Sequence, residues 1–210
     1  MNEKIAVIGK FADSIKPWAP SETPIYAFLT NNVDRLNCLP LPDEQLRNAV
    51  NRAFLRHNDV TDYQSKSYKR EHSENIINLL KQIIHNPQRD TVKGFCHLYM
   101  CDIHLEYIDD VVKLCADYKT FNYQELERFC IWILLNCPYS NPINAAISLL
   151  KLGKRNMHVE LLQIFAQYPY FTYFSAQTIL ETSDFYESEL SRIQSYGRLQ
   201  QEIINSKILK

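Results

Sequence analysis

Apolar residues recur at spacings of three and four along most of the chain, the period of helices with one buried face. Ile5, Ile8, Phe11, Ala12 and Ile15 share one such face, which Pro17 and Pro20 end. A second helix starts behind Ser21-Glu22-Thr23-Pro24 and carries Tyr26, Leu29, Val33 and Leu36, until Pro40 and Pro42 break the chain. Asp43 is placed to cap a third, with Leu46, Val50, Ala53 and Phe54 inward. Residues 58–70 are polar with little periodicity. They read as a loop or mobile helix edge and are the best place for a boundary. A strong helix over 73–84 then buries Ile76, Ile77, Leu80, Ile83 and Ile84. The region before residue 72 is therefore expected to be an irregular helical cap, and 72–210 one continuous domain.

Beyond Thr91 the pattern becomes repetitive. It predicts helices over about 91–104, 105–118, 123–136, 141–152, 156–167 and 171–181, and a last one from about 183 to 208. Pro142 and Gly153 punctuate the fourth of these, with Gly153 where a C-terminal glycine cap belongs. Similar apolar ends recur at Val112-x-Leu114-Cys115, Ile147-x-Leu149-Leu150 and Gln177-x-Ile179-Leu180. Their spacing of roughly 30–35 residues is that of helix pairs stacked as an α-solenoid.

The segment Asn141-Pro142-Ile143-Asn144-Ala145-Ala146-Ile147-Ser148-Leu149-Leu150-Lys151-Leu152-Gly153-Lys154 resembles the second helix of a HEAT repeat. The family favours a proline near the turn, small residues inside the helix, paired leucines and a closing glycine. Tyr170 to Leu180 keeps only Ala176 and Ile179-Leu180, and Ile108 to Cys115 only the apolar pattern. The resemblance implies an all-α fold of antiparallel helix pairs stacked as a short HEAT-like α-solenoid. An irregular helical bundle is the alternative reading.

Composition narrows the function classes. The 210 residues carry 23 Lys and Arg against 24 Asp and Glu, so no overall charge calls for nucleic acid or a membrane. Only 4 glycines leave little material for phosphate-binding loops. The longest apolar run, Phe129 to Leu135, is far short of the ~20 residues that span a bilayer. The N-terminus does not read as a secretory signal, which sets the expected compartment as the cytosol. Five of the six cysteines (Cys96, Cys101, Cys115, Cys130 and Cys137, but not Cys38) occupy apolar helical positions and read as buried thiols.

Four groups carry candidate chemistry. His97, Cys101 and His104 fall at i, i+4 and i+7 of the predicted 91–104 helix, one face holding metal-ligand types; no Cys-x-x-Cys accompanies them, and a core cysteine flanked by edge histidines gives the same pattern. Cys96 or Cys101 with His97, His104 or His158 supplies the residue types of a thiol nucleophile, but no turn motif marks an activated one. Residues 91–137 hold four Lys and Arg against seven Asp and Glu, a local charge of -3. Asp102, Glu106, Asp109, Asp110 and Asp117 form an acidic surface suited to steering a basic partner. Tyr168, Tyr170 and Tyr173 stand in an aromatic cluster of the kind that lines binding surfaces. The expected function is a non-enzymatic protein–protein interaction module without cofactor, in its sharper form a cytosolic inhibitor or immunity-type protein that binds a basic partner. The rival is a HEAT-like DNA-binding protein or DNA glycosylase, with Lys66, Lys69, Arg70, Lys151, Lys154 and Arg155 as phosphate contacts.

Overall fold

A computed structural model describes residues 11–36, 39–57, 66–118, 121–153, 158–184 and 186–191. Every regular element among them is helical. The α-helices are α1 (Ile25–Asn31), α2 (Glu44–His57), α3 (Lys66–His85), α4 (Arg89–Tyr99), α5 (Ile108–Asp117), α6 (Tyr123–Asn136), α7 (Ser140–Leu149), α8 (Val159–Ala166), α9 (Pro169–Thr182) and α10 (Tyr186–Ser191). Short 3-10 turns cover Asp13–Ile15, Val33–Arg35, Asp102–Tyr107 and Leu150–Leu152.

The fold is arranged around α7. All ten of its residues are buried, including Ser140, Asn141, Asn144 and Ser148. Such a helix needs neighbours on every side. α6 and α9 pack on it most extensively, and α4 and α5 complete the shell. Its small residues let α9 approach closely: Thr178 Oγ1 donates to the Ile147 carbonyl at 3.1 Å, and Asn144 Nδ2 to the Tyr170 carbonyl at 3.4 Å. α6 brings the bulk. Leu126, Phe129, Trp132, Ile133 and Leu134 are all buried, and Asn122 caps the helix by accepting from the Glu125 amide at 3.2 Å.

The N-terminal part is woven into this array. α1 packs on both α6 and α8, and the Ile25 amide donates to the Cys137 carbonyl at 3.0 Å. Phe11 and Trp18 pack over α6 with tilted rings, their centroids 5.7 Å from Phe129 and 5.4 Å from Trp132 respectively. The boundary expected at residues 71 and 72 falls inside α3, which starts at Lys66. Of the 58–70 loop, residues 66–70 are helical and 58–65 lie outside the described residues, as do 1–10 of the first predicted helix.

Three local expectations change. The 91–104 helix stops at Tyr99, because Cys101 is extended (φ -97, ψ 131) and opens a 3-10 turn. Gly153 has φ -82, so it is no left-handed cap. A β-carbon there would stand 3.3 Å from both Glu127 Oε2 and the Leu150 carbonyl, so Gly153 leaves room for a carboxylate. On α2, Leu46 and Ala53 face solvent. Val50 and Phe54 turn inward on a small second core, while Arg47 and Asn51 bond residues of α7 and of the turn before α5.

That polar face of α2 has a purpose. Four amides at a helix start lack intrahelical partners, and burial makes leaving them unpaired costly. The buried Asp43 carboxylate answers at α7: its Oδ2 accepts from the Ser140 amide at 2.6 Å and the Ser140 hydroxyl at 2.8 Å. Arg47 Nη1 donates to the same hydroxyl oxygen at 2.7 Å. The Asp43 charge also faces the positive end of the α7 dipole. Replacing Asp43 by Ala strands both Ser140 donors in the interior. The expected loss is about 1–3 kcal/mol of unfolding free energy, read from urea titration, and a loss below ~0.5 kcal/mol contradicts this role for Asp43.

Candidate functional site

The turn Asp102–Tyr107, the start of α5, the turn after α7 and the outer face of α9 enclose a cleft of about 250 Å³. Leu105, Ile108 and Phe174 give it an apolar floor, and Asp102, Glu106 and Asp109 line it with carboxylates. Lys151 is the one cation among the lining residues. Its side chain is only 8% exposed, and its ammonium sits 3.4 Å from Asp109 Oδ1 and 3.3 Å from Glu181 Oε1. Tyr173 stands at the edge, 45% exposed, accepting from Gln177 Nε2 at 3.3 Å. An amphipathic tyrosine beside carboxylates over an apolar floor suits a side chain with an aliphatic stem and a cationic tip.

The structure divides the residues expected to bind a partner. Glu106, Asp109, Asp110 and Asp117 are exposed. Asp102 is a structural hub: its carboxylate accepts from Asn51 of α2 at 2.5 Å, Asn141 of α7 at 2.7 Å and the Tyr170 hydroxyl of α9 at 3.3 Å. Its backbone amide donates to Asn51 Oδ1 at 3.0 Å. Tyr170 also donates to Asn141 Oδ1 and carries the Arg47 guanidinium 3.9 Å above its ring. Burial holds its hydroxyl protonated far above the usual tyrosine range. Tyr168 donates to the Leu39 carbonyl at 2.8 Å and fastens the strand of chain before α2. Of the three tyrosines, only Tyr173 faces the cleft.

The His97, Cys101 and His104 triad is dispersed by the break after Tyr99. His97 is exposed on α4, and Cys101 is buried with Tyr107 in the small second core. His104 stacks on His72 of α3 with ring centroids 4.4 Å apart. No group of three or more His, Cys, Asp or Glu among the described residues is arranged to hold a metal ion. His104 Nδ1 lies against the Leu98 carbonyl. A carbonyl only accepts, so Nδ1 carries a proton, while burial disfavours a second proton on the ring. His158, the other histidine proposed for a thiol nucleophile, bonds Glu127 Oε1 at 2.5 Å instead.

That Glu127–His158 pair is one of the contacts the sequence does not announce. Both side chains are largely buried, and the pair ties α6 to the start of α8 beneath Gly153. Lys151 is another, since its partners lie 42 and 30 residues away along the chain. Of the basic residues suggested for phosphate contacts, Lys151 is enclosed by carboxylates, Arg70 pairs with Glu74 at 3.0 Å and Lys69 lies over the Tyr107 ring. Lys154 and Arg155, like the side chain of Lys66, lie outside the described residues. No protein-family model, curated protein or solved structure matches the chain.

The stacked histidines make stability depend on pH. Burial lowers both, and the nearby His104 charge adds to the effect on His72, which falls to about 4. The unfolded chain therefore takes up protons first as the pH drops below about 6.5. The stabilisation from holding both rings neutral is complete above that pH and is lost as pH falls towards 4. After allowance for solvent screening, about 1 kcal/mol should go between pH 7 and 5. Urea midpoints at the two pH values check this, and His72→Phe should flatten the dependence while keeping the ring contact.

Proposed function

We propose that the chain is a protein-binding module whose acidic cleft receives basic side chains of a partner protein. The observation that carries this reading is the convergence of Asp102, Glu106 and Asp109 on one cleft with an apolar floor, where the only lining cation is already engaged. The remaining negative field favours a lysine or arginine arriving from outside. Asp110 and Asp117 extend the field along α5.

The framework suits this use. α6 packs on α7, α8 on α9, and α7 on α9, each pair joined by two or three residues or stacked on the next. Short connections between neighbouring helices make antiparallel hairpins. We read α6–α7 and α8–α9 as two layers of a short HEAT-like stack, filled on one side by α1, while α4 and α5 pack chiefly on α3 rather than on each other. Stacks of this kind present one long face to a partner. An immunity-type inhibitor that occludes a basic enzyme is the sharper form of the reading. The five free, buried cysteines among the described residues fit a reducing compartment such as the cytosol, and no helix among the described residues is long and apolar enough to cross a membrane.

The test uses residues that carry the field without holding the fold. The full chain, tagged and purified from its host, should retain at low salt a basic protein that high salt releases. Combining Glu106→Lys, Asp110→Lys and Asp117→Lys should slow association with that protein by about tenfold or more at low salt, with the thermal midpoint unchanged. Asp102 and Asp109 stay in place because they bond α2, α7, α9 and Lys151. Equal association rates for the two proteins across salt concentrations overturn the reading.

A further inference from the structure

A second cleft, of about 150 Å³, opens where α4 meets the link between α6 and α7. It is lined by Pro17, Lys93, Cys96, His97, Met100 and Tyr139. The hydroxyl of Tyr139 donates to Glu22 Oε1 at 2.8 Å, which pins that wall. Behind it the Cys96 thiol meets a second one. Cys137, the extended residue that follows α6, is fully buried and hydrogen-bonded to the Cys96 side chain. Its Sγ also lies 3.7 Å from the Tyr139 carbonyl. Two thiols in hydrogen-bonding contact from different helices are the starting arrangement of a disulfide.

The two sulfurs differ in what they can do. Cys96 borders the cleft, with Lys93 one turn back on the same helix and His97 beside it. Cys137 has no opening of its own, and burial raises its thiol well above the usual range. The cleft has room for a few water-sized molecules, which admits a peroxide.

We propose that Cys96 and Cys137 are a peroxide-reactive pair, with Cys96 attacked through the cleft and Cys137 resolving it. In the first step the Cys96 thiolate displaces hydroxide from hydrogen peroxide. The O–O bond breaks, Cys96 becomes a sulfenic acid, and the proton first lost by Cys96 joins the hydroxide as water. In the second step the Cys137 sulfur attacks the Cys96 sulfur, the S–O bond breaks, and the departing hydroxide takes the Cys137 proton as water. Two thiols are oxidised to one disulfide, and one peroxide is reduced to two waters. The product clamps α4 to the junction that leads into α7.

The test uses the full chain carrying Cys38→Ser, treated with one equivalent of hydrogen peroxide, alkylated and mapped by peptide mass. The expected product has lost about 2 Da, carries one Cys96–Cys137 link, keeps Cys101, Cys115 and Cys130 alkylatable, and melts several degrees higher. Adding Cys137→Ser should leave a sulfenic acid on Cys96 that a dimedone probe captures. Adding Cys96→Ser should leave Cys137 unoxidised. Both variants replace a thiol by a hydroxyl, and circular dichroism before oxidation confirms that they fold. Oxidation of Met100 with both thiols still alkylatable overturns the proposal. So does a link between any other pair, or oxidation of Cys137 in the absence of Cys96.

Discussion

The first turn of α7 is the point on which the rest of the molecule depends. A helix buried on all sides removes its own terminal amides from water, and something must replace the solvent. Asp43 does so from the segment before α2, which is 97 residues away from Ser140 in sequence. Arg47 then satisfies the other side of the Ser140 hydroxyl, and Asn141 in the next position reaches Asp102. Asp102 in turn gathers Asn51 and Tyr170. One buried helix start thus fixes the seat of α2, the turn before α5 and the lower end of α9. At its inner end this network specifies one arrangement, because Asp43, Ser140 and Asn141 are buried and a shift would leave their polar groups unpaired.

This explains what the sequence could and could not convey. The apolar helices were legible: 123–136 is predicted and observed over the same residues, and α7 and α9 lie within two residues of expectation at their starts. Those signals are local, a period of 3.6 and a proline. The errors fall where distant residues decide. The position of Asp43 before α2 predicts a cap for that helix, yet its carboxylate serves the start of α7. Arg47 and Asn51 look like surface residues of an amphipathic helix, while the exposed Leu46 looks like core. The inward face of α2 is polar because of what it faces, and nothing within α2 records that.

The candidate site shows the same division. The excess of carboxylates over 102–117 was visible, and so was the aromatic cluster. Their roles were not separable, because Asp102 and Tyr170 differ from Glu106 and Tyr173 only in their long-range bonds. The metal-like spacing of His97, Cys101 and His104 misled for a backbone reason. It assumed a continuous helix, and an extended Cys101 turns the following residues towards α3. The pairing of His104 with His72, and of Cys96 with Cys137, spans helices that no spacing rule connects.

The bond from Tyr168 to the Leu39 carbonyl bridges 129 residues, and α1 rests on α6 and α8. These are contacts of high sequence separation, and they bear on how the chain emerges from the ribosome. At about 5–20 residues per second, Leu39 precedes Tyr168 by about 6–25 s. During that interval Ile25 and Leu29, both fully buried in the finished protein, have none of their later neighbours. The early helices must wait, exposed, for the later ones. A nascent chain of this design offers a holding chaperone its N-terminal quarter first, and gives it up only when α8 and α9 have been made.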